Sequence, residues 1–228
     1  MKLLAFDTSN QALSLAILED EHLLAQTTLN IKKNHSITLM PAIDFLMNSL
    51  DMKPTDLDRI VVAQGPGSYT GLRIAVATAK TLAHTLKIEL VGVSSLLALV
   101  PEQVEGLVIP IMDARRNNVY AGFYQSGQAV RPEAHLPLVE VLEIAGATNQ
   151  PVTFVGETAT FAEQIKDALP QAAIQSTLPD AVAIGRLGLD LQAQSIHDFV
   201  PNYLKRVEAE ENWLKTHQES SDSYIQRL

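Results

Sequence analysis

Three short apolar runs open the chain: Leu3 to Phe6, the alternating Leu13 to Leu18, and Leu23 to Leu29, parted by Thr8-Ser9-Asn10-Gln11 and Glu19-Asp20-Glu21-His22. Short runs bounded by polar turn residues predict strands, and this spacing predicts an antiparallel meander. Helical periodicity follows from about His35 to Leu50. A buried strand, Arg59-Ile60-Val61-Val62-Ala63, then stops at Gly65-Pro66-Gly67, and a second helix is expected from about Thr70 to Leu86, followed by a strand at Leu90-Val91-Gly92-Val93. The predicted order is βββαβαβ.

The pattern recurs at an offset of 106, which is 113 minus 7. Leu3-Leu4-Ala5-Phe6-Asp7 falls over Ile109-Pro110-Ile111-Met112-Asp113, so both copies of the first strand end in an acid. Without a gap, Leu13 to Leu18 falls over Val119 to Tyr124, and Glu19-Asp20-Glu21 over Gln125-Ser126-Gly127. Val152-Thr153-Phe154-Val155-Gly156 then introduces a helical stretch from about Glu157 to Leu169. Such self-similarity predicts an α/β fold of two βββαβα lobes, the plan of the actin-like ATPase (ribonuclease H-like) class. The lobes are expected at 1–103 and 104–204, with 205–228 as a mobile tail: acids and polar residues there surround the single Trp213.

The richest local motif is Gly65-Pro66-Gly67-Ser68-Tyr69-Thr70-Gly71-Leu72-Arg73, between a strand and a helix. Free amides at a helix start can hold an anion. Asp7, Thr8, Ser9, Gly65, Gly67 and Ser68 are therefore candidate nucleotide or anion contacts, and Asp7 with Asp113 a candidate magnesium pair across a cleft, though acids that end strands are often only turn formers. The motif matches neither the P-loop nor the dinucleotide fingerprint, and a tight turn with Ser68 or Thr70 as helix cap is the simpler expectation.

The two N-terminal helices carry more apolar surface than one sheet covers. Arg73, Ala77, Lys80 and His84 form one narrow stripe; the other faces of that helix are apolar or small, and the helix before it shows Leu39, Ile43, Leu46 and Leu50 on one side and Ile37, Met40 and Met47 on another. Surplus of this kind predicts a protein partner, or cover by the second lobe.

Composition narrows the classes. With 46% hydrophobic residues among 228, the chain can bury a sizeable core, and no run approaches the roughly 20 apolar residues of a membrane span. The N-terminus does not read as a signal peptide, so a cytoplasmic location is expected. No cysteine is present, which excludes thiolate metal sites and a cysteine nucleophile. A net charge of −9, without any basic run, argues that phosphate contacts to a nucleic acid come from a partner chain. None of the six histidines is paired at helical spacing, so no metal site and no catalytic residue is assigned.

Leu4-Ala5-Phe6-Asp7-Thr8-Ser9, His35-Ser36 with Leu39-Met40-Pro41, Gly65 to Arg73, and Asp113-Ala114-Arg115 with Val119-Tyr120 together resemble the TsaB (YeaZ-like) family of tRNA threonylcarbamoyladenosine biosynthesis proteins. Pro201-Asn202-Tyr203-Leu204-Lys205 is a weaker echo. The resemblance implies a non-catalytic subunit that pairs with a homologous catalytic subunit, TsaD, and with the ATPase TsaE. It further implies that the complex transfers a threonylcarbamoyl group to N6 of the adenosine beside the anticodon, and that ATP or ADP binds in the complex and not to the isolated chain. The catalytic relative carries His-x-x-x-His on its first helix; here Leu39 stands four residues after His35. Ala75, where glycine is common, and Lys205, where arginine is common, depart from the family pattern. The resemblance also implies a partner surface, shared with a homodimer, on the first two helices: Leu39, Met40, Ile43, Met47, Gly71, Ala75, Thr78, Ala79 and Leu82. Transfer RNA is expected to bind only through the complex. The rival readings are an independent actin-like ATPase or kinase, disfavoured by the lack of a Gly-Gly turn in the second lobe, and a metallopeptidase, disfavoured by the missing histidine.

Overall fold

The computed structural model describes residues 1–31, 34–101 and 103–205. The tail predicted at 205–228 lies outside the described residues apart from Lys205. The first lobe comprises β1 (Lys2–Asp7), β2 (Leu13–Glu19), β3 (His22–Leu29), α1 (His35–Ser49), β4 (Arg59–Gly65), α2 (Tyr69–Leu86) and β5 (Glu89–Ser94). Its sheet runs in the order β3-β2-β1-β4-β5, with β1 antiparallel to β2 and parallel to β4.

The second lobe repeats the plan with shorter pieces. It comprises β6 (Leu107–Asp113), β7 (Asn118–Gln125), β8 (Gln128–Pro137), α3 (Leu138–Gly146), β9 (Val152–Gly156), α4 (Ala162–Ala168) and β10 (Ala173–Ser176). The order β10-β9-β6-β7-β8 is that of the first sheet read from the other end. Asp7 closes β1 as Asp113 closes β6, so the offset read from sequence holds through both meanders. It fails after β8 because α3 has 9 residues where α1 has 15.

The first sheet is buried on both faces, which is why its central strands are nearly continuous apolar runs. Alternate residues point opposite ways: Leu4, Phe6, Ile60 and Val62 join α1 and α2 in one core, while Leu3, Ala5, Val61 and Ala63 join Ala181, Val182 and Ile184 in another. The last three belong to α5 (Ala181–Leu187), the last helix among the described residues. Although α5 follows the second lobe in sequence, it packs on β1, β2 and β4. A division at residue 104 therefore separates the sheets but not the chain, since residues 181–203 return to the first lobe.

That return is anchored by one buried cation. Arg59, 8% exposed, bonds Glu89 and donates from Nη1 to the carbonyls of Gly188 (2.6 Å), Leu189 (2.8 Å) and Leu191 (3.2 Å). Beyond it the chain forms a strap along α2. Gln194 N–H donates to Leu90 O (2.8 Å), and Asn202 N–H to Gln64 O (2.8 Å). Lys80 Nζ donates to the carbonyls of His197 and Phe199 at 3.0 and 2.9 Å, and Phe199 is buried in the α1–α2 core. The basic stripe of α2 thus faces the protein's own strap: Lys80 on these carbonyls, His84 against the His197 ring at 6.1 Å, and Arg73 near Tyr203.

Between the lobes, Glu133 on β8 accepts hydrogen bonds from Ser94 of the first lobe and Tyr124 of the second. Ser94 Oγ also accepts the amides of Leu96 and Leu97, both at 3.1 Å. The crossing of the chain from one lobe to the other is thereby pinned on both sides.

Candidate functional site

Two surfaces emerge from this framework: a cleft between the first hairpins of the lobes, and the outer face of α1 and α2. The cleft has a volume of about 760 Å³. Ser9, Gly67, Ser68 and Lys205 face it from one side and Asp113, Arg115 and Glu157 from the other.

The glycine-rich turn is shaped by close packing. A Cβ on Gly67, whose φ is +154°, would lie 2.3 Å from Ser9 O, and one on Gly71 would lie 1.9 Å from Thr8 O. The two backbones therefore touch, tied by Ser68 N–H to Ser9 O (2.6 Å) and Thr8 Oγ1 to Gly71 O (2.8 Å). Ser68 caps α2 by accepting the Gly71 amide at 3.3 Å, the simpler of the two expectations for this motif. Of the six candidate anion contacts, Ser9, Gly67 and Ser68 line the cleft, whereas Asp7 and Thr8 are buried beneath it and Gly65 packs against the strap at Asn202.

Asp7 and Asp113 consequently do not form a pair of exposed carboxylates. Asp7 is 1% exposed and accepts the Ser9 amide at 2.5 Å. The Ser9 hydroxyl lies by the carboxylate without a partner at hydrogen-bonding geometry. Burial lifts the Asp7 carboxyl from 3.8 to about 6, against the opposing pull of Ser9 and of His35. The raised value makes the buried charge a liability above pH 6: native Asp7 holds its proton where the unfolded chain has lost it, so stability falls as pH rises from about 4 to about 6. The shift of 3.8 to about 6 corresponds to about 3 kcal/mol, near 1.4 kcal/mol for each pKa unit. Asp7→Asn, whose amide oxygen can still accept from Ser9, should therefore raise the melting temperature at pH 7.5, and the gain should vanish below pH 4. Thermal melts across that range check it; a variant less stable at pH 7.5 would show that the carboxylate is held favourably.

Asp113 accepts the Arg115 amide at 2.7 Å, while its own amide donates to Glu157 Oε2 at 2.8 Å. Burial first, and then the charge of Asp113, raise the Glu157 carboxyl, with the Asp113 amide and Arg115 acting against them. Next in the turn stand Arg115, Arg116 and Asn117, with φ of 71°, 54° and 57°. Three successive left-handed non-glycine residues cost on the order of 1–2 kcal/mol each. Asn118 supports them through Nδ2–H bonds to the carbonyls of Arg115 (3.2 Å) and Arg116 (3.0 Å). The sequence pointed to neither Glu157 nor this strain; the lack of glycine in a tight hairpin was the available signal.

His35 Nε2–H donates to Asn10 O at 2.8 Å, tying α1 to the β1–β2 turn. Among the described residues no group of three or more acidic or histidine side chains is placed to hold a metal ion.

Burial in the monomer divides the helical surface. Of the nine residues assigned to a partner surface, Leu39, Ile43, Met47, Gly71, Ala75 and Ala79 are buried within the monomer, Thr78 and Leu82 are half-buried, and Met40 alone is exposed. The physical reason is the small side chains of α2: Ala75, Ala79 and Ala83 let the helix lie close on the sheet, so the alanine face is core. Exposed instead are Ile37 at 67%, Met40 at 48% and Phe45 at 66%, which with Pro41 form an outward face of α1.

Comparison with known proteins supplies the family. The family model described as TsaD, tRNA N6-adenosine threonylcarbamoyltransferase, matches residues 22–213. The tRNA threonylcarbamoyladenosine biosynthesis protein TsaB of Bacillus subtilis is 41% identical over 227 residues, covering 95% of this chain and 99% of the relative. The TsaB protein of Escherichia coli is 30% identical over 129 residues, 55% of each chain. Among solved structures, YeaZ from Pseudomonas aeruginosa superposes with a TM-score of 0.77 at 28% identity, covering 89% of this chain and 99% of that one. The ethanolamine utilization protein EutJ of Carboxydothermus hydrogenoformans, at a TM-score of 0.52 and 15% identity, shares the fold. The chain belongs to the TsaB (YeaZ-like) family of tRNA threonylcarbamoyladenosine biosynthesis proteins, accessory components of this tRNA modification.

Proposed function

We propose that the chain is the non-catalytic partner of a TsaD-type catalytic subunit, docking through the outward face of α1 and the adjoining edge of α2. The carrying observation is the exposure of Ile37, Met40 and Phe45 on one helix face, interrupted only by Asp44 and Asn48. Apolar side chains so grouped favour burial against another chain by about 25 cal/mol for each Å² covered. The half-buried Thr78 and Leu82 of α2 complete the surface on this reading. On this reading Leu39, Ile43, Met47, Ala75 and Ala79 support the surface from below instead of touching the partner. A homodimer uses the same face and competes with the partner. The ATPase TsaE and any ATP or ADP join the assembled complex in the cytoplasm, and no turnover belongs to this chain alone.

The test is the double variant Met40→Glu with Phe45→Glu. Both positions face solvent in the monomer, so melting should be unchanged while affinity for the catalytic subunit falls by about a thousandfold, two central anchors being worth about 2 kcal/mol each. Calorimetric titration that gives wild-type affinity would move the docking surface elsewhere.

A further inference from the structure

We infer that the rim of the cleft formed by Tyr69, Arg73 and Tyr203 of the first lobe, with Lys205 and Arg115 lining the same cleft, is a contact surface for unpaired RNA, the open loop of the substrate tRNA. The inference rests on the proposed function, since it places this contact in the assembled complex.

The first observation is an aromatic stack left open. The rings of Tyr69, at the start of α2, and Tyr203, at the end of the strap, stack at 5.1 Å and 29°, yet the residues remain 43% and 41% exposed. Four residues earlier the same strap sinks Phe199 into the core, so its tyrosine is not outside for want of an anchor. The Arg73 guanidinium lies 4.6 Å from the Tyr69 ring centre and close to the Tyr203 side chain. Those contacts fix the orientation of both rings before any ligand arrives.

The second is the placement of charge. Lys205 and Arg115 line the cleft from opposite lobes. Arg115 opens the turn of three consecutive left-handed residues, whereas the next hairpin turn places Gly127 at φ 74°. The fold thus holds an arginine at the cleft in a conformation that glycine would adopt without strain. The two acids on that side are engaged by backbone amides, Asp113 by that of Arg115 and Glu157 by that of Asp113.

Fixed aromatic planes bordered by cations suit single-stranded RNA: bases stack on rings without regard to sequence, and phosphates meet Arg and Lys. A protein partner is less well matched, because the apolar face of this chain lies on α1 and the rim is polar around its rings. The net charge of −9 keeps RNA off the isolated chain, so the rim adds to binding dominated by the other subunit.

The experiment uses the complex of the full chain with its catalytic subunit and a fluorescent anticodon stem-loop, unmodified at the loop adenosine, with a fully paired hairpin for comparison. Tyr203→Leu keeps apolar contact with Tyr69 but offers no stacking plane, and should weaken stem-loop binding by about tenfold with little effect on the hairpin. Tyr203→Phe should bind as the parent does. Arg115→Gln should lower the slope of log affinity against log salt by about one. Unchanged stem-loop affinity in Tyr203→Leu, or a loss in Tyr203→Phe equal to that in Tyr203→Leu, would overturn the inference. Loss of assembly in Tyr203→Leu would make the rim a protein contact and overturn it too. Failure of the parent chain to assemble would instead sink the proposed function, and this inference with it.

Discussion

Ala79→Glu should remove a large part of the protein's stability. Ala79 has no exposed surface and sits among the apolar residues that α2 shares with α1 and the first sheet. A glutamate there must bury an unpaired carboxylate, take up a proton against its ordinary pKa, or lift the helix from the sheet. Its added volume brings a further penalty in a packed core. The sum is about 4 kcal/mol or more, against a total of 5–15 kcal/mol for a typical domain. Urea denaturation followed by circular dichroism should show the midpoint lowered by about a quarter or more. A soluble variant with the parent's midpoint would mean that this face of α2 points outward after all, as the helical pattern in the sequence suggested.

Gly71→Ala should be as severe, and against the direction that helix propensity predicts. Within a helix, alanine is favoured over glycine by about 1 kcal/mol. At this position the new methyl would lie 1.9 Å from Thr8 O and 3.1 Å from Thr8 C, both backbone atoms at the end of β1. Neither can rotate away, so α2 must withdraw from the sheet and break the bond from Thr8 Oγ1 to Gly71 O. A loss of about 3 kcal/mol or more is expected. Gly146→Ala serves as the contrast: its nearest neighbour is a Leu169 methyl at 3.4 Å, and the change should be near neutral. Equal midpoints for the two variants would mean that the close approach of α2 to β1 does not exist in solution.

The two positions also mark where the sequence was readable and where it was not. Strand order and the duplication were legible because the acid ending β1 and the acid ending β6 keep the same distance to their hairpins, and hairpins tolerate few insertions. The depth of α2 was not legible. Ala75 and Ala79 read equally well as a small-residue seam between helices and as a helix lying low on a sheet, and periodicity reports which way a side chain points, never how near the neighbour stands. Asp7 was recognisable as the end of a strand, but its burial depends on Gly67 and Gly71 closing over it from some 60 residues away. Likewise Lys80 looked like surface charge because its partners, the carbonyls of His197 and Phe199, carry no sequence signal.

The return of α5 and the strap to the first lobe sets an order of assembly during synthesis. Residues 107–176 hold every strand of the second sheet and can pair as soon as they emerge. The first sheet, although made earlier, waits with one face bare until Ala181, Val182 and Ile184 arrive, and Arg59 stays unpaired from the carbonyls of Gly188, Leu189 and Leu191 until they too have been added. Contacts so distant in sequence are slow to form. On the ribosome, then, the half of the protein that begins first is the half that finishes last, and a chain released early would expose a broad apolar sheet to the chaperones and proteases around it.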